Sequence, residues 1–466
     1  MILSIDQSTA GTKALLWGLN GELLDREDLP HRQITTPQGW VEHDPEEIID
    51  NVKTLINKIS ENKEISAIGI SNQRETVVCW DRKTGKPIHN AVVWQCARGA
   101  DICERLKDKA DFIKDRTGLP LSPYFSAAKI AWLLQNIGDK DICAGTIDSW
   151  LIYNLTGEFK TDYSNASRTQ LLNLDTLTWD EEICALFGID TGILPEICHS
   201  DSLFGYTAGN IPIHGVMGDS HAALYANKCH EKYTGKITYG TGSSIMVNVG
   251  DERPQPLDGI ATSLAWGING KVQYVLEGNI NYTGAVIKWL VEDVKLLDKS
   301  SNAGIYAESV SDTGGVYLIP AFSGLGAPYF DDKARAAIVG MNRSTKHEHI
   351  IRAAEECIAY QIKDVVDEIR KIAPLTVIRA DGGPAKDSFL MRFQADILGL
   401  PVEISQTEEL SGAGAAYCAA LGAKITDYDT VFSSHKVKKV MPRTISDCYY
   451  AGWKNAVKLI RGGKST

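Results

Sequence analysis

The sequence predicts an α/β protein made of two related halves, and three observations carry that prediction. The chain has 466 residues, and at about 150 residues per domain that suggests two or three domains. A short apolar strand, a small polar turn and a second apolar strand occur near the start and again about 230 residues later, which is the mark of an internal repeat. Apolar strand-length runs mix with amphipathic helices along the chain, the pattern of helices packed on sheets. The composition, 44% hydrophobic and 23% charged, is ordinary globular composition with enough apolar material for two cores. It excludes wholesale disorder, collagen and coiled coil.

Each element follows in order. Ile2-Leu-Ser-Ile-Asp6 and Ala14-Leu-Leu-Trp17 read as strands around the turn Gln7-Ser-Thr-Ala-Gly-Thr12, with a third strand near Glu22–Leu24. A helix is predicted from Pro45 to Ile59, with Asp44 as its N-cap and Pro45 at the first helical position. Residues 65–70 and 76–81 read as buried strands, and 127–136, 147–155 and 180–187 as helices. A strand at Ile213–Gly218 follows. Lys236–Val249 then repeats the opening scheme around Tyr239-Gly-Thr-Gly-Ser-Ser244, and strands at 262–266 and 272–276 continue it. Glu348–Ile372 is the clearest helix: Ile351, Ala354, Ile358, Ile362, Val365 and Ile369 share one face. A strand over 375–381 ends in Gly382-Gly383, and helices are predicted at 389–398 and 413–423. No Pro/Ser-rich linker separates the halves, so the boundary is placed near residue 226, giving domains 1–226 and 227–466.

Lys+Arg 48 against Asp+Glu 59 gives a net charge of −11, without the clustered cations that nucleic acid requires. No stretch approaches the roughly 18 apolar residues of a membrane span, and the first residues lack a basic leader. Ten scattered Cys without a CxxC are expected as reduced core thiols, pointing to a cytoplasmic protein. Gly240-Thr-Gly242 lacks the third glycine of a dinucleotide fingerprint. Gly463-Lys-Ser465 resembles the end of a P-loop, but position 458 is Lys and the sequence stops before a helix can follow. Ser220 beside His221 lacks the GxSxG setting of a hydrolase. His347-Glu-His349 reads as a polar helix start rather than a metal site.

The remaining chemistry gathers at strand ends. Asp6 closes a buried strand, where a carboxylate can hold Mg²⁺ through water. The Ser/Thr/Gly turn behind it offers backbone N–H and hydroxyl donors to phosphate, and Lys13 adds a positive charge. Tyr239–Ser244 and Ala380-Asp-Gly-Gly383 supply further donor-rich turns, which together favour a nucleotide clamped between the halves. Asp219, after another apolar strand, is placed to take a proton from an attacking hydroxyl, or to cap the helix that follows. Arg74 and Glu75 can grip vicinal hydroxyls, one donating and one accepting. Trp94 and Tyr124 offer flat walls with polar edges.

With those residues stand longer motifs: Gly39-Trp-Val-Glu-His-Asp-Pro45, Ser71-Asn-Gln-Arg-Glu-Thr76, Thr161-Asp-Tyr-Ser-Asn-Ala-Ser-Arg168 and Pro320-Ala-Phe-Ser-Gly-Leu-Gly-Ala-Pro-Tyr329. On these the chain resembles the FGGY carbohydrate kinases, nearest to their glycerol-phosphorylating branch. The resemblance implies two actin/hexokinase-like domains of duplicated ribonuclease-H type closing over ATP, Mg²⁺ and a small polyol or sugar, and leaves a homo-oligomer open. It implies Asp219 as general base and Asp6 near the metal. Arg74, Glu75, Trp94, Tyr124, Asp219 and Ser220 fall around the substrate, and Thr9, Lys13, Thr241, Gly284, Gly383 and Asp387 around ATP. The chain departs from that branch at Ser220 and His221, where two Gln are usual, and at Ser244, where an aromatic is usual. It also carries Lys13, Lys288 and Asp387 in place of Arg, Gln and Asn. The expected activity is therefore ATP-dependent phosphorylation of a terminal hydroxyl of glycerol or a related small polyol. A larger polyol or ketose (tetritol, pentitol, pentulose) and a non-catalytic sugar or nucleotide sensor are the alternatives.

Overall fold

The computed structural model describes residues 1–138, 141–444 and 448–462; Gly463-Lys-Ser465 lies outside them. Two mixed sheets, one in each half, form its frame. The first has six strands in the order Gly205–Tyr206, Pro212–Gly218, Ala67–Asn72, Ile2–Gln7, Gly11–Trp17 and Leu23–Pro30. Its three central strands run parallel, and the hairpin strands beyond them are antiparallel. The second has seven strands in the order Ala261–Ile268, Lys271–Ile280, Ser243–Gly250, Thr234–Tyr239, Val377–Gly382, Val402–Ser405 and Val437–Val440. Thr234–Tyr239, Val377–Gly382 and Val402–Ser405 are again parallel neighbours, flanked by antiparallel strands. The repeat read from the sequence is thus a repeat of sheet topology.

The helices form where the sequence places them. Asp44 accepts from the backbone N–H groups of Glu46 and Glu47 and starts Pro45–Ser60, whose Ile48, Val52, Leu55, Ile56 and Ile59 are buried. Asp180 accepts from Ile183 N and starts Glu181–Phe187. His347–Arg370 opens with Lys346 N donating to His349 Nδ1 at 3.0 Å, a structural use of that histidine. The third strand differs from expectation. It spans Leu23–Pro30 rather than a few residues near 22–24. Asp25, Arg26, Glu27 and Asp28 make it a charged edge strand with no apolar alternation, a composition that discourages edge-to-edge pairing. Eight of the ten cysteines are buried.

One helix joins the halves. Leu410–Gly422 lies in sequence between Val402–Ser405 and Val437–Val440 of the second sheet yet packs on Ile2–Gln7, Ala67–Asn72 and Pro212–Gly218 of the first. The contact is backbone to backbone. A Cβ on Gly69 would lie 2.4 Å from Ala415 O, and one on Gly215 would meet both Ala415 O and Ala419 N at 2.4 Å. Gly215 also has φ +67. Ile2, Leu15, Trp17, Met217, Leu224, Met246, Trp266, Tyr417 and Phe432 form one buried cluster drawn from both halves. Among the described residues no helix is long and apolar enough to cross a membrane.

Candidate active site

The parallel strands of the first sheet end in register, with Asp6 opposite Ser71 and Met217 opposite Ser71 from the other side. In open sheets ligands bind beyond the carboxyl ends of such strands. Asp6 is buried there and accepts from Ser71 Oγ at 2.9 Å. Burial lifts its carboxyl to about 6; Lys13 opposes the rise, while Asp219 and Glu409 add to it. Asp219 starts the helix Asp219–Ala226, with Gly218 in the cap position, so Asp219 is the first helical residue rather than the cap. Its Oδ1 accepts from Ser220 N at 2.6 Å and lies 3.4 Å from Arg74 Nε. The Asp219 side chain is 37% exposed, open to a ligand.

Arg74 and Glu75 are 7% and 2% exposed, and each meets an opposite charge before any substrate. Arg74 donates through both terminal nitrogens to Glu277, at 2.9 and 3.1 Å. Arg168 Nε donates to Glu75 at 2.6 Å, and its NH1 lies 3.1 Å from Glu277. Two guanidiniums therefore alternate with two carboxylates, and Asp219 completes the row. Arg168 and Arg74 hold the Glu277 carboxyl well below its usual range despite burial, which opposes them. Paired so closely, these buried charges avoid the penalty of isolated ones. Glu75 has φ +62, a conformation that non-glycine residues adopt at a cost and that clusters at functional sites.

The aromatic wall stands over this row. Trp94 and Tyr124 meet edge to face with ring centroids 5.6 Å apart, and Trp94 Nε1 donates to Thr9 Oγ1 at 3.0 Å. Lys129, fully buried in the helix Ser126–Ile137, donates to Pro123 O at 2.8 Å, Phe125 O at 3.1 Å and Tyr124 O. It thereby fixes the turn that presents Tyr124.

Two cavities adjoin. One of about 870 Å³ is lined by Gly240, Thr241, Gly284, Gly383, Lys386 and Asp387. The other, about 960 Å³, takes Lys13, Asp219 and Ser220 from the first half and Thr238, Asp381 and Gly383 from the second. Gly383 and Lys386 line both, so the two spaces meet there. The structure thus brings Thr241, Gly284, Gly383 and Asp387 together, as expected for one ligand. Lys13 is different. Its Nζ is 2.6 Å from Glu409, which also binds Arg26, so its charge is matched across the halves rather than free for phosphate. Asp387 is also partly committed: Oδ1 accepts from Phe389 N and Leu390 N, and Oδ2 from Gly304 N.

Family models match both halves: the N-terminal domain of the FGGY carbohydrate kinases over residues 1–225, and the C-terminal domain over 235–423. The chain belongs to the FGGY family of carbohydrate kinases. Glycerol kinase 1 of Thermotoga maritima is 46% identical over 98% of this chain and 99% of its own. A glycerol kinase of Alkaliphilus oremlandii is 42% identical over 98% and 96%. Among solved structures, Plasmodium falciparum glycerol kinase with ADP superposes with a TM-score of 0.94 at 36% identity, covering 98% of both chains. Xylulose kinase of Lactobacillus acidophilus shares the fold, with a TM-score of 0.89 at 22% identity over 99% and 97%.

For this FGGY kinase, sequence reading missed Glu277 as a site residue, and it missed the work of Arg168 and Lys129. For Glu277 and Lys129 a signal was present. Glu277 is a lone carboxylate in the buried strand Lys271–Ile280, and Lys129 a lone cation in an apolar helix. His221 is fully buried with both ring nitrogens unpartnered. Burial, then Arg74, hold it well below its usual pKa, so it is neutral. Ser244 Oγ is likewise buried without a partner, beside Asn279 in the sheet register.

Proposed function

We propose that this chain phosphorylates a terminal hydroxyl of glycerol or a related small polyol with ATP, in the cytoplasm. The observation that carries the reading is Asp219 itself: a half-open carboxylate beside Arg74, in a cavity continuous with the glycine-lined one. The curated relatives' names support the same chemistry. The domains are taken as 1–226, which supplies the substrate grip and first phosphate turn, and 227–466, which supplies the nucleotide cavity.

In this reading the polyol lies against Trp94 and Tyr124. Arg74 retains N–H donors and Glu75 a carboxylate oxygen for its hydroxyls, with Ser220 nearby. Asp219 accepts the proton of the reacting hydroxyl as that oxygen attacks the γ-phosphorus. Thr241, Gly284 and Gly383 line the nucleotide space, while Thr9 and Lys13 stand on the first-half side. A divalent cation suits Asp6: burial, and more weakly Asp219 and Glu409, disfavour its charged carboxylate, and Mg²⁺ takes one or two carboxylates plus phosphates and waters. When bound, it would neutralise charge on the phosphates. A coupled ADP-release assay over a panel of polyols and ketoses tests the proposal. Turnover of none of them, with ATP bound, would favour a sensor instead.

A second reading, a longer polyol or ketose, is favoured by one observation. Ser244 Oγ and both His221 nitrogens lack partners close to the Arg74–Glu277 pair. Buried polar groups are usually satisfied, and the extra hydroxyls of a four- or five-carbon substrate would suit them.

A further inference from the structure

The nucleotide cavity holds a carboxyl that neither the fold nor the proposed mechanism uses. Glu355 lies within the helix His347–Arg370, is 3% exposed and yet lines the cavity with Thr241, Gly284 and Gly383. Its Oε2 is sealed from solvent and has no hydrogen-bond partner. Burial, and then the nearby Asp387 carboxylate, push the Glu355 carboxyl well above its usual range, which favours its protonated form. An orphaned buried acid lowers stability, and an apolar side chain would fill the same helix position at no such cost. Asp387 is occupied by three backbone N–H groups. Lys288 is 66% exposed at the rim, 3.5 Å from Glu292. Glu292 and Asp293 also line the space but are exposed, so Glu355 is left as its buried, uncommitted acid.

We propose that Glu355 reads the nucleotide base, donating its carboxyl O–H to a ring nitrogen of adenine and accepting from the exocyclic amine. This rests on the cavity being the nucleotide site. A protonated carboxyl offers one donor and one acceptor side by side. Adenine presents the complementary pair, the N7 acceptor beside the N6 amine. Guanine presents two acceptors, N7 and O6, on that edge, leaving the carboxyl oxygen opposed by another acceptor. Glu355 is thus a specificity residue, remote from the transferred phosphoryl group.

The test is calorimetric binding to the intact protein, comparing ATP with purine riboside triphosphate, which lacks only the amine. The wild type should bind ATP at least about tenfold more tightly than the analogue, the scale of leaving one buried polar group unpaired. Glu355→Leu should weaken ATP by a similar factor and bring the two affinities together. Its melting temperature should hold or rise, and the KM for the polyol at saturating ATP should not move. Glu355→Gln, which keeps a donor and an acceptor, should retain the preference for ATP. Equal wild-type affinity for ATP and the analogue would overturn the proposal, as would an unchanged preference in Glu355→Leu. If Glu355→Leu fails to fold, Glu355→Met takes its place, and the wild-type comparison stands alone. Should the wild type bind no ATP, the nucleotide reading of the cavity falls first and this proposal with it.

Discussion

Asp219 is the residue on which the proposed chemistry turns, and its surroundings suit a carboxylate there. It is open enough to reach a ligand, and Arg74 Nε lies 3.4 Å away. Asp219→Asn keeps the shape and loses the proton acceptor. The variant should lose at least ~10²-fold in kcat, the usual scale for removing a general base, with polyol affinity little changed. Steady-state kinetics within a few-fold of wild type would remove Asp219 from that role. The two serines concern substrate choice. Ser220 lines the phosphate-side cavity, and Ser244 turns an unpartnered hydroxyl inward. A four- or five-carbon polyol or ketose should therefore match or exceed glycerol in kcat/KM. Ser220→Gln with Ser244→Phe should shift preference back toward glycerol by roughly 1–3 kcal/mol, the worth of one apolar group in a specificity pocket. A wild-type preference for glycerol above about tenfold over every longer candidate would count against the roomier wall.

At the scale of elements, strand ends and helix starts carry the site, and buried carboxylates brace them. Asp148, in the first turn of Ile147–Thr156, accepts from Thr146 Oγ1 at 2.5 Å and Thr161 Oγ1 at 2.7 Å. Burial, and then Asp162, raise its carboxyl from 3.8 to about 6. Between those values the folded state binds the proton more tightly than the unfolded chain. Stability from this group is therefore fully present below about 4 and is lost as pH rises through 6. The shift corresponds to about 3 kcal/mol at most. Asp148→Asn cannot titrate, so its stability relative to wild type should improve by up to that amount between pH 4 and 7. Denaturant midpoints across that range measure it, and parallel curves for the two proteins would contradict the assignment. The same element logic explains the third strand: Leu23–Pro30 was only partly legible because its charges mask the alternation that burial would impose.

Across the whole molecule, the two halves share a cleft and a seam. The phosphate-side cavity draws residues from both. Glu409 binds Lys13 and Arg26 across the seam. A nucleotide bridging residues 7–12 and 240–244 should bring the halves together, excluding water and limiting idle ATP hydrolysis. Small-angle scattering should show a smaller radius when ATP analogue and polyol are both present than with either alone. An unchanged radius at saturation of both sites would contradict closure. The Leu410–Gly422 helix packs at backbone distance on Gly69 and Gly215.

The sequence by itself determined the repeat, most of the strands and helices, and the carboxylates Asp6 and Asp219 at strand ends. These are local facts, written in periodicity, capping residues and small polar turns within a dozen positions. It also marked Arg74, Glu75, Trp94 and Tyr124 as a group, because motif and chemistry coincide there. Only the tertiary structure decided who meets whom. Arg74 and Glu277 are 203 positions apart, Glu75 and Arg168 are 93, and Lys13 and Glu409 are 396. Glu355 lines the proposed nucleotide cavity from a helix whose apolar period alone would place it in the core. Such pairings follow from sheet register and from the docking of one half on the other. Those are set by the collective fit of buried surfaces, and no short stretch of sequence encodes them.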